Sequence, residues 1–434
     1  MDSKKKQISI LYTSLSSSER RKLLKFFRKV NRMNLNKIAK HITIDPSSIS
    51  RMENGKQEVP YEYFEKSLIF YTDGKLIDLE AFNHAICLCE NLIFEIIDHN
   101  GCTFSSTHDD FILKSSPHKF HYPIIILIKF IKSSYVKMYD DQFYENLNYL
   151  EKIADNFIFG WMKRAFLYFK GLYEMNLQKF ELANESLNKA TQIAISNKQL
   201  EAYLFYLKGQ LANRMGDYVN LRKNLTLLEP LAERYLGNLS TLDIRILKAN
   251  YYRGIYKFEN AIAIDKNTLN MIDKLSLDYS DASAILNYNL GRTYRLLKEY
   301  KIALHYLKES LKKKNCTDVY YEIVWIHYSL GNSSECRKYI KQCFLLNEQN
   351  NYFYELVIYI ELNLNKSNSK RSIAKLEQVY KRYCHKVSIR DKEFLLKQII
   401  SSYEAIGDFR QALVYSKHLV EIMQTQLIST LSNW

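Results

Sequence analysis

The densest reactive groups in this chain are cations at one end. Residues 1–56 hold fourteen Lys and Arg (positions 4, 5, 6, 20, 21, 22, 25, 28, 29, 32, 37, 40, 51 and 56) against four acids, a surplus of +10. The other 378 residues carry only +5 of the total of +15. A basic end on a nearly balanced body fits a module that binds a polyanion. Patterns for covalent or metal chemistry are lacking: there is no GxxxxGK[ST], HExxH, GxSxG or double CxxC set. The seven cysteines (87, 89, 102, 316, 336, 343, 384) have no framework spacing, and their odd number argues against full pairing. Cys87 and Cys89 lack a matching Cys or His pair at zinc spacing. Cys384 and His385 are neighbours in sequence, so on a helix their side chains diverge. The expectation is a chain that is not an enzyme and carries no cofactor.

These groups need elements to position them. At 434 residues, with 47% apolar side chains, the chain exceeds one compact domain and can bury large cores. Five prolines and twelve glycines are few, and only Pro230 follows Pro123, which points to helices throughout. The start, Met1-Asp2-Ser3-Lys4-Lys5-Lys6, is not of signal type, and the apolar run Pro123–Ile128 meets Lys129 at once. A reducing cytoplasm and no membrane are therefore expected.

Residues 1–74 read as a small helical domain. Ser16 and Glu19 can cap a helix to about residue 32 with Leu23, Leu24, Phe26, Phe27 and Val30 on its apolar face. Asn34 can cap a short helix over 35–41, and Asp45 the next, with Pro46 in its first turn and Asn54-Gly55 as its stop. A further helix covers about 60–71. Residues 75–97 read as helical, and 98–123, with Gly101, Pro117 and Pro123, as an irregular joint.

From 124 to 434 a repeat emerges. Positions 183, 221, 261, 303, 336, 374 and 412 are small or apolar anchors, five of them Ala, spaced 38, 40, 42, 33, 38 and 38 apart. Gly171, Gly209 and Gly291 each lie twelve residues before an anchor. Such a period is that of paired-helix repeats.

Asn34–Gly55 resembles the helix-turn-helix of phage-repressor and Xre type. The match is carried by Ala39 at the contact of the two helices, by Ile38, Ile44, Ile49 and Met52 in the core, and above all by Arg51-Met52-Glu53-Asn54-Gly55-Lys56. Thr43 stands where the turn usually has Gly, Leu35 where Gln is frequent, and Pro46 at a position that often reads a base. By this resemblance Ser47 and Arg51 take base-reading positions in a major groove, Arg51 toward guanine and Pro46 toward a thymine methyl. Ser48 and Ser50 contact bases or phosphates, and Lys37, Lys40 and Lys56 contact backbone phosphates. Arg20, Arg21, Lys25, Arg28 and Lys29 fit phosphate contacts and solvated helix faces equally.

A repressor-type head followed by such repeats is similar to the peptide-responsive quorum-sensing regulators of Gram-positive bacteria and their phages and plasmids, the superfamily of Rgg, Rap, NprR, PlcR and PrgX, with the arbitrium receptors. The resemblance implies an all-α chain: a helix-turn-helix domain (1–74), a helical linker with an irregular joint (75–123), and a right-handed tetratricopeptide-like superhelix (124–434). It implies a homodimer on an inverted-repeat operator in double-stranded DNA, controlled by a short signalling oligopeptide in the concave face. Counting from the glycine position, the inward residues are Tyr206, Gln210 and Asn213; Asn250 and Arg253; and Tyr288, Asn289, Arg292 and Arg295. Amides suit a peptide backbone and arginines a carboxylate. A protein-binding regulator of Rap type, acting on a response regulator or another protein, is the second reading, and a helical scaffold the third.

Overall fold

The computed structural model describes residues 2–30, 32–73, most of 85–93, and 122–431 apart from 158, 195–197, 236–237, 275–279, 349–350, 365–368, 385–386 and 388. Every regular element among them is helical. The chain forms two compact units, residues 1–204 and 205–434.

Unit 1 opens with five helices: α1 (Asp2–Ser14), α2 (Ser17–Val30), α3 (Leu35–Ile42), α4 (Pro46–Glu53) and α5 (Tyr61–Asp73). Helix α1 precedes the first helix expected from the sequence. It docks through buried Ile8, and the Tyr12 hydroxyl donates to the Val59 carbonyl at 3.0 Å. The Arg20 guanidinium covers the Tyr12 ring at 3.8 Å. The Ser16–Glu19 spacing makes a reciprocal cap: the Ser16 N–H donates to the Glu19 carboxylate at 2.8 Å, and the Glu19 N–H donates to the Ser16 hydroxyl at 3.3 Å. Leu23, Leu24, Phe27, Ile38, Ile49, Met52, Phe64, Leu68 and Tyr71 fill the core between α2, α3, α4 and α5.

The helix expected over 75–97 is described only at 85–87, 89–91 and 93, which are helical. The joint expected over 98–123 lies outside the described residues, save that Tyr122 and Pro123 begin a helix. Pro123 sits in that helix's first turn, where a missing N–H leaves no bond unmade.

Eight antiparallel helix pairs follow. Unit 1 holds α6 (Tyr122–Val136) with α7 (Asp141–Ile153), and α8 (Gly160–Asn176) with α9 (Phe180–Thr191). The unit boundary falls inside α10 (Lys198–Met215), which pairs with α11 (Tyr218–Tyr235). Unit 2 continues with α12 (Asn238–Gly254) and α13 (Phe258–Lys274), α14 (Ser280–Leu296) and α15 (Tyr300–Lys313), α16 (Thr317–Ser329) and α17 (Ser333–Leu345), α18 (Tyr352–Leu364) and α19 (Ser369–Tyr383), and α20 (Ile389–Ala405) and α21 (Phe409–Leu431).

From α7 to α19 each second helix buries its anchor together with the residues four and seven beyond it, as in Ala183, Leu187, Ala190 and in Cys336, Ile340, Cys343; α21 buries Ala412 and leaves Ser416 and Leu419 half-buried. The glycines of the first helices admit this contact. A Cβ on Gly291 would lie 2.5 Å from Leu307 Cγ and 3.2 Å from the Ala303 carbonyl oxygen. One anchor is misplaced in the sequence reading. Ala374 is exposed, and Ser372, Leu376 and Val379 take the buried positions, so the anchor of α19 is Ser372. The first pair also follows the rule with a large anchor, Phe143, followed by Leu147 and Leu150.

Candidate functional site

The first candidate surface is α3, α4 and the turn between them. The Asn34 side chain accepts the Lys37 N–H at 2.8 Å and starts α3. The Asp45 carboxylate accepts the Ser48 N–H at 3.1 Å and also the Ser47 hydroxyl, and so starts α4. These bonds, the Ser47 hydroxyl first, hold the Asp45 carboxyl below its ordinary range. Thr43 joins the helices with φ 56° and ψ 46°, in the left-handed region that its position, usually glycine, requires. Gly55, at φ 75°, ends the motif.

Buried Ile38, Ala39, Ile42, Ile49 and Met52 turn one side of this motif inward. The opposite side leaves Lys37, Lys40, Ser47, Arg51 and Lys56 exposed, with Pro46, Ser48 and Ser50 half-buried between them. All eight expected head residues thus lie on or beside α3 and α4. Arg51 donates to the Ser48 hydroxyl at 3.1 Å, and Asn54 to the Ser50 hydroxyl at 3.4 Å. Glu53 is no surface group. Its carboxylate takes two bonds from Arg28, both at 2.6 Å, and Arg28 also donates to the Met33 carbonyl at 3.1 Å. Glu53 is buried and Arg28 half-buried, so the pair clamps α2 to α4, and removing Arg28 would leave the buried Glu53 carboxylate without its partner, at a cost of up to about 3–5 kcal/mol. The Glu53 hydrogen bond is also what raises the Arg28 pKa above its ordinary value. Arg20 and Arg28 are therefore structural, which the sequence left open.

The second candidate surface lies within unit 2. On α10, the Gln210 amide donates to the Tyr206 hydroxyl at 2.5 Å, and Asn213 is half-buried. On α12, Arg253 is buried and bonds Asp265 and the Asn250 side-chain oxygen, each at 2.5 Å. Asp265 occupies the core position that Leu187 and Leu307 hold in other pairs, and burial raises its carboxyl pKa despite Arg253. Arg253 thus joins the two helices of its own pair. Asn289 on α14 is buried, while Tyr288, Arg292 and Arg295 are half-buried beside it.

Arg292 and Arg295 meet acids that the sequence reading passed over. Arg295 bonds Glu322 on α16, whose carboxylate also lies 3.6 Å from Arg292. Arg292 donates to Asp391, at the start of α20, at 3.0 Å. Next to Asp391, Arg390 donates to the Gly254 carbonyl at 2.8 Å and lies 4.4 Å over the Tyr256 ring. The Tyr256 hydroxyl donates to Glu393 at 3.4 Å, and Phe394 packs edge-on to Trp325 at 4.9 Å. The start of α20 therefore binds side chains and backbone from α12, its following turn, α14 and α16. Asp318, on α16, has its carboxyl pushed up to about 6 by burial.

A signal for Glu322 existed in the sequence. It lies two residues before Val324, which stands twelve before the anchor Cys336, as Asn289 stands two before Gly291. With Val in the glycine place, the phase of that pair was hidden. Nothing local marks Arg390 and Asp391, whose partners lie 136 and 99 residues away.

Residues 317–350, covering α16 and α17, match the tetratricopeptide repeat family model. No curated protein matches the chain in sequence. Solved structures do match in shape. A Rap protein complexed with competence and sporulation factor aligns with a TM-score of 0.68 at 14% identity, over 80% of this chain and 99% of that one. NprR in complex with its cognate peptide NprX aligns at 0.60 and 16%, over 77% and 98%. Aspartyl phosphate phosphatase F from Bacillus subtilis aligns at 0.55 and 12%, over 94% and 95%. Among the described residues no helix is long and apolar enough to cross a membrane. The chain has the all-helical, tetratricopeptide-like fold of the Rap and NprR proteins.

Proposed function

We propose that the chain is a transcription regulator whose head reads an inverted-repeat DNA operator and whose repeats bind a short signalling peptide. The observation that carries the reading is the outer side of α3 and α4: exposed Lys37, Lys40, Ser47, Arg51 and Lys56 on a motif fixed by two side-chain caps and the Arg28–Glu53 clamp. Such a helix fits a major groove, with lysines left for phosphates. The peptide part is supported by the peptide-bound NprR of like fold. In this chain a peptide carboxylate seeking Arg292 competes with Asp391, and a peptide cation seeking Asp391 competes with Arg292. Ligand binding at that point exchanges an internal ion pair for an external one, so it is coupled to the seat of α20.

A second copy completes the operator reading, since one small head covers one half-site. The outer face of α21 supports it. Phe409, Leu413, Val420 and Met423 are 70%, 59%, 50% and 48% exposed. With Ser416 they alternate four and three residues apart, the seam of a helix that packs on another helix. Terminal repeats of open arrays carry a polar outer face instead.

One observation favours the Rap-type reading. The phosphatase of like fold spans the chain almost end to end, so its likeness extends beyond the repeats. The test that separates the two is selection of bound DNA by the purified chain, followed by Arg51→Ala on the selected site. The expected loss is about 1–3 kcal/mol, with relaxed preference at one base pair. Absence of any selected sequence, or an unaltered Arg51 variant, would falsify the operator reading and leave the protein-partner reading.

A further inference from the structure

Unit 1 contains a cleft of about 480 Å³ lined by none of the residues given base-reading or peptide-binding positions above. One wall is α2, which contributes Arg21, Lys22, Lys25, Phe26 and Lys29, joined by Glu53 and Asn54 at the end of α4. The facing wall is Pro123, Ile124, Tyr149, Ile153, Asp155, Phe157 and Met162, from α6, α7, α8 and the turn between α7 and α8.

Its two walls differ in chemistry. Positions 21, 22, 25 and 29 share one side of α2, a row of cations about 12 Å long at 1.5 Å per residue. Both acids of the cleft have cations of their own: Glu53 is bonded by Arg28 at 2.6 Å, and Asp155 by Lys163 at 2.7 Å. Lys163 chiefly, and Lys22 to a lesser degree, hold the Asp155 carboxyl below its ordinary range. Arg21 donates to the Ser18 hydroxyl and Lys25 to the Asn54 side-chain oxygen, each at 3.3 Å, and both acceptors are neutral. Among the described residues, therefore, no ion pair neutralises the row. The facing wall is mainly apolar, with Ile124, Phe157 and Met162 buried, and the Phe26 and Tyr149 rings lie half-buried at the cleft.

We infer that this cleft binds a nucleotide, with the phosphates along the α2 cations and the flat ring against the apolar wall. The cleft has the size of small-ligand sites. The guanidinium of Arg21 suits a phosphate fork, and the lysines act as point charges beside it. Inorganic phosphate would use only the cationic wall and an uncharged nucleoside only the apolar one. A nucleotide uses both and joins the end of α4 to α7.

The experiment is calorimetric titration of the full chain with ATP, inorganic pyrophosphate and adenosine. ATP is expected to bind in the micromolar range, and pyrophosphate and adenosine each about tenfold or more weaker. Lys22→Gln with Lys25→Gln should weaken ATP about tenfold or more and leave the unliganded melting temperature unchanged. Lys37→Gln with Lys40→Gln, on the other basic face, should leave ATP binding as it is. No ATP binding at millimolar concentration overturns the assignment. So does equal ATP affinity in the Lys22/Lys25 variant, or loss only in the Lys37/Lys40 variant. Pyrophosphate binding as tightly as ATP overturns the placing of the ring.

Discussion

Asp318 is a carboxyl whose surroundings oppose its charge. In the unfolded chain it titrates near the ordinary aspartate value of 3.8, and in the fold burial moves it to about 6. Between those values the folded chain holds the extra proton, so stability falls as pH rises from about 4 to about 6 and stays lower above. Asp318→Asn removes that titration. Melting curves across this window should be flatter for the variant, which should be the more stable of the two at neutral pH. Parallel losses in both proteins would assign the pH dependence to other groups. The residue scale also marks the limit of sequence reading. Arg51 and Lys56 were legible because a local motif fixes their places. Arg28 was not, because Glu53, twenty-five residues on, decides whether it is a surface cation or half of a clamp. The repeat phase puts Arg253 on the concave face toward a ligand, whereas Asp265, an acid at a core position, draws it into the contact between the two helices of its own pair.

At the scale of elements, turns carried the phase of the repeats. In six pairs the residue five before the anchor has positive φ: Gln178, Gly216, Tyr256, Lys298, Gly331 and Gly407. Only three of these are glycine, so half of the turns were silent in the sequence. The eighth pair was missed because its anchor, Phe143, is large. The anchor of α19 was set two residues late because Ala374 hid Ser372. Thr43 makes the same point in the head. A β-branched residue in the left-handed region costs about 1–2 kcal/mol, against which glycine's added chain entropy recovers only part. Thr43→Gly should therefore stabilise the α3–α4 motif by about 0.5–1 kcal/mol. Hydrogen exchange should read this as roughly two- to fivefold slower opening of amides in 35–53. Faster exchange there would mean that the Thr43 hydroxyl, which donates to the Ile42 carbonyl at 2.7 Å, outweighs the strain.

For the whole molecule, composition and period gave the helical class and the paired repeats, because both follow from patterns that recur along the chain. They did not give the exposed seam of α21, which becomes visible only when burial separates its outer face from Ala412 and Tyr415. If two copies meet along this seam, Leu413→Glu with Val420→Glu places four charges in one interface. Sedimentation should then find a dimer in the parent and a monomer in the variant, with helix content unchanged. A monomeric parent, or a dimeric variant, would remove α21 from the assembly.

The bonds at the start of α20 also bear on how the molecule comes apart. In an open array each repeat touches only its neighbours, so unravelling begins at an end and the terminal pair protects nothing but itself. Here Arg390 holds Gly254, Asp391 holds Arg292, and α21 also touches α11, so the last pair is fastened to helices far earlier in the chain, 136 residues back at Gly254 and 99 at Arg292. Peeling that pair away breaks contacts on α11, α12 and α14 as well as on α19. The pairs in between form a loop whose two ends are tied, and loss of the terminal pair is a loss of cooperativity for the whole of unit 2. Chain closure of this kind delays folding, since it must wait for distant segments to meet, and in return turns a string of semi-independent repeats into a single melting body.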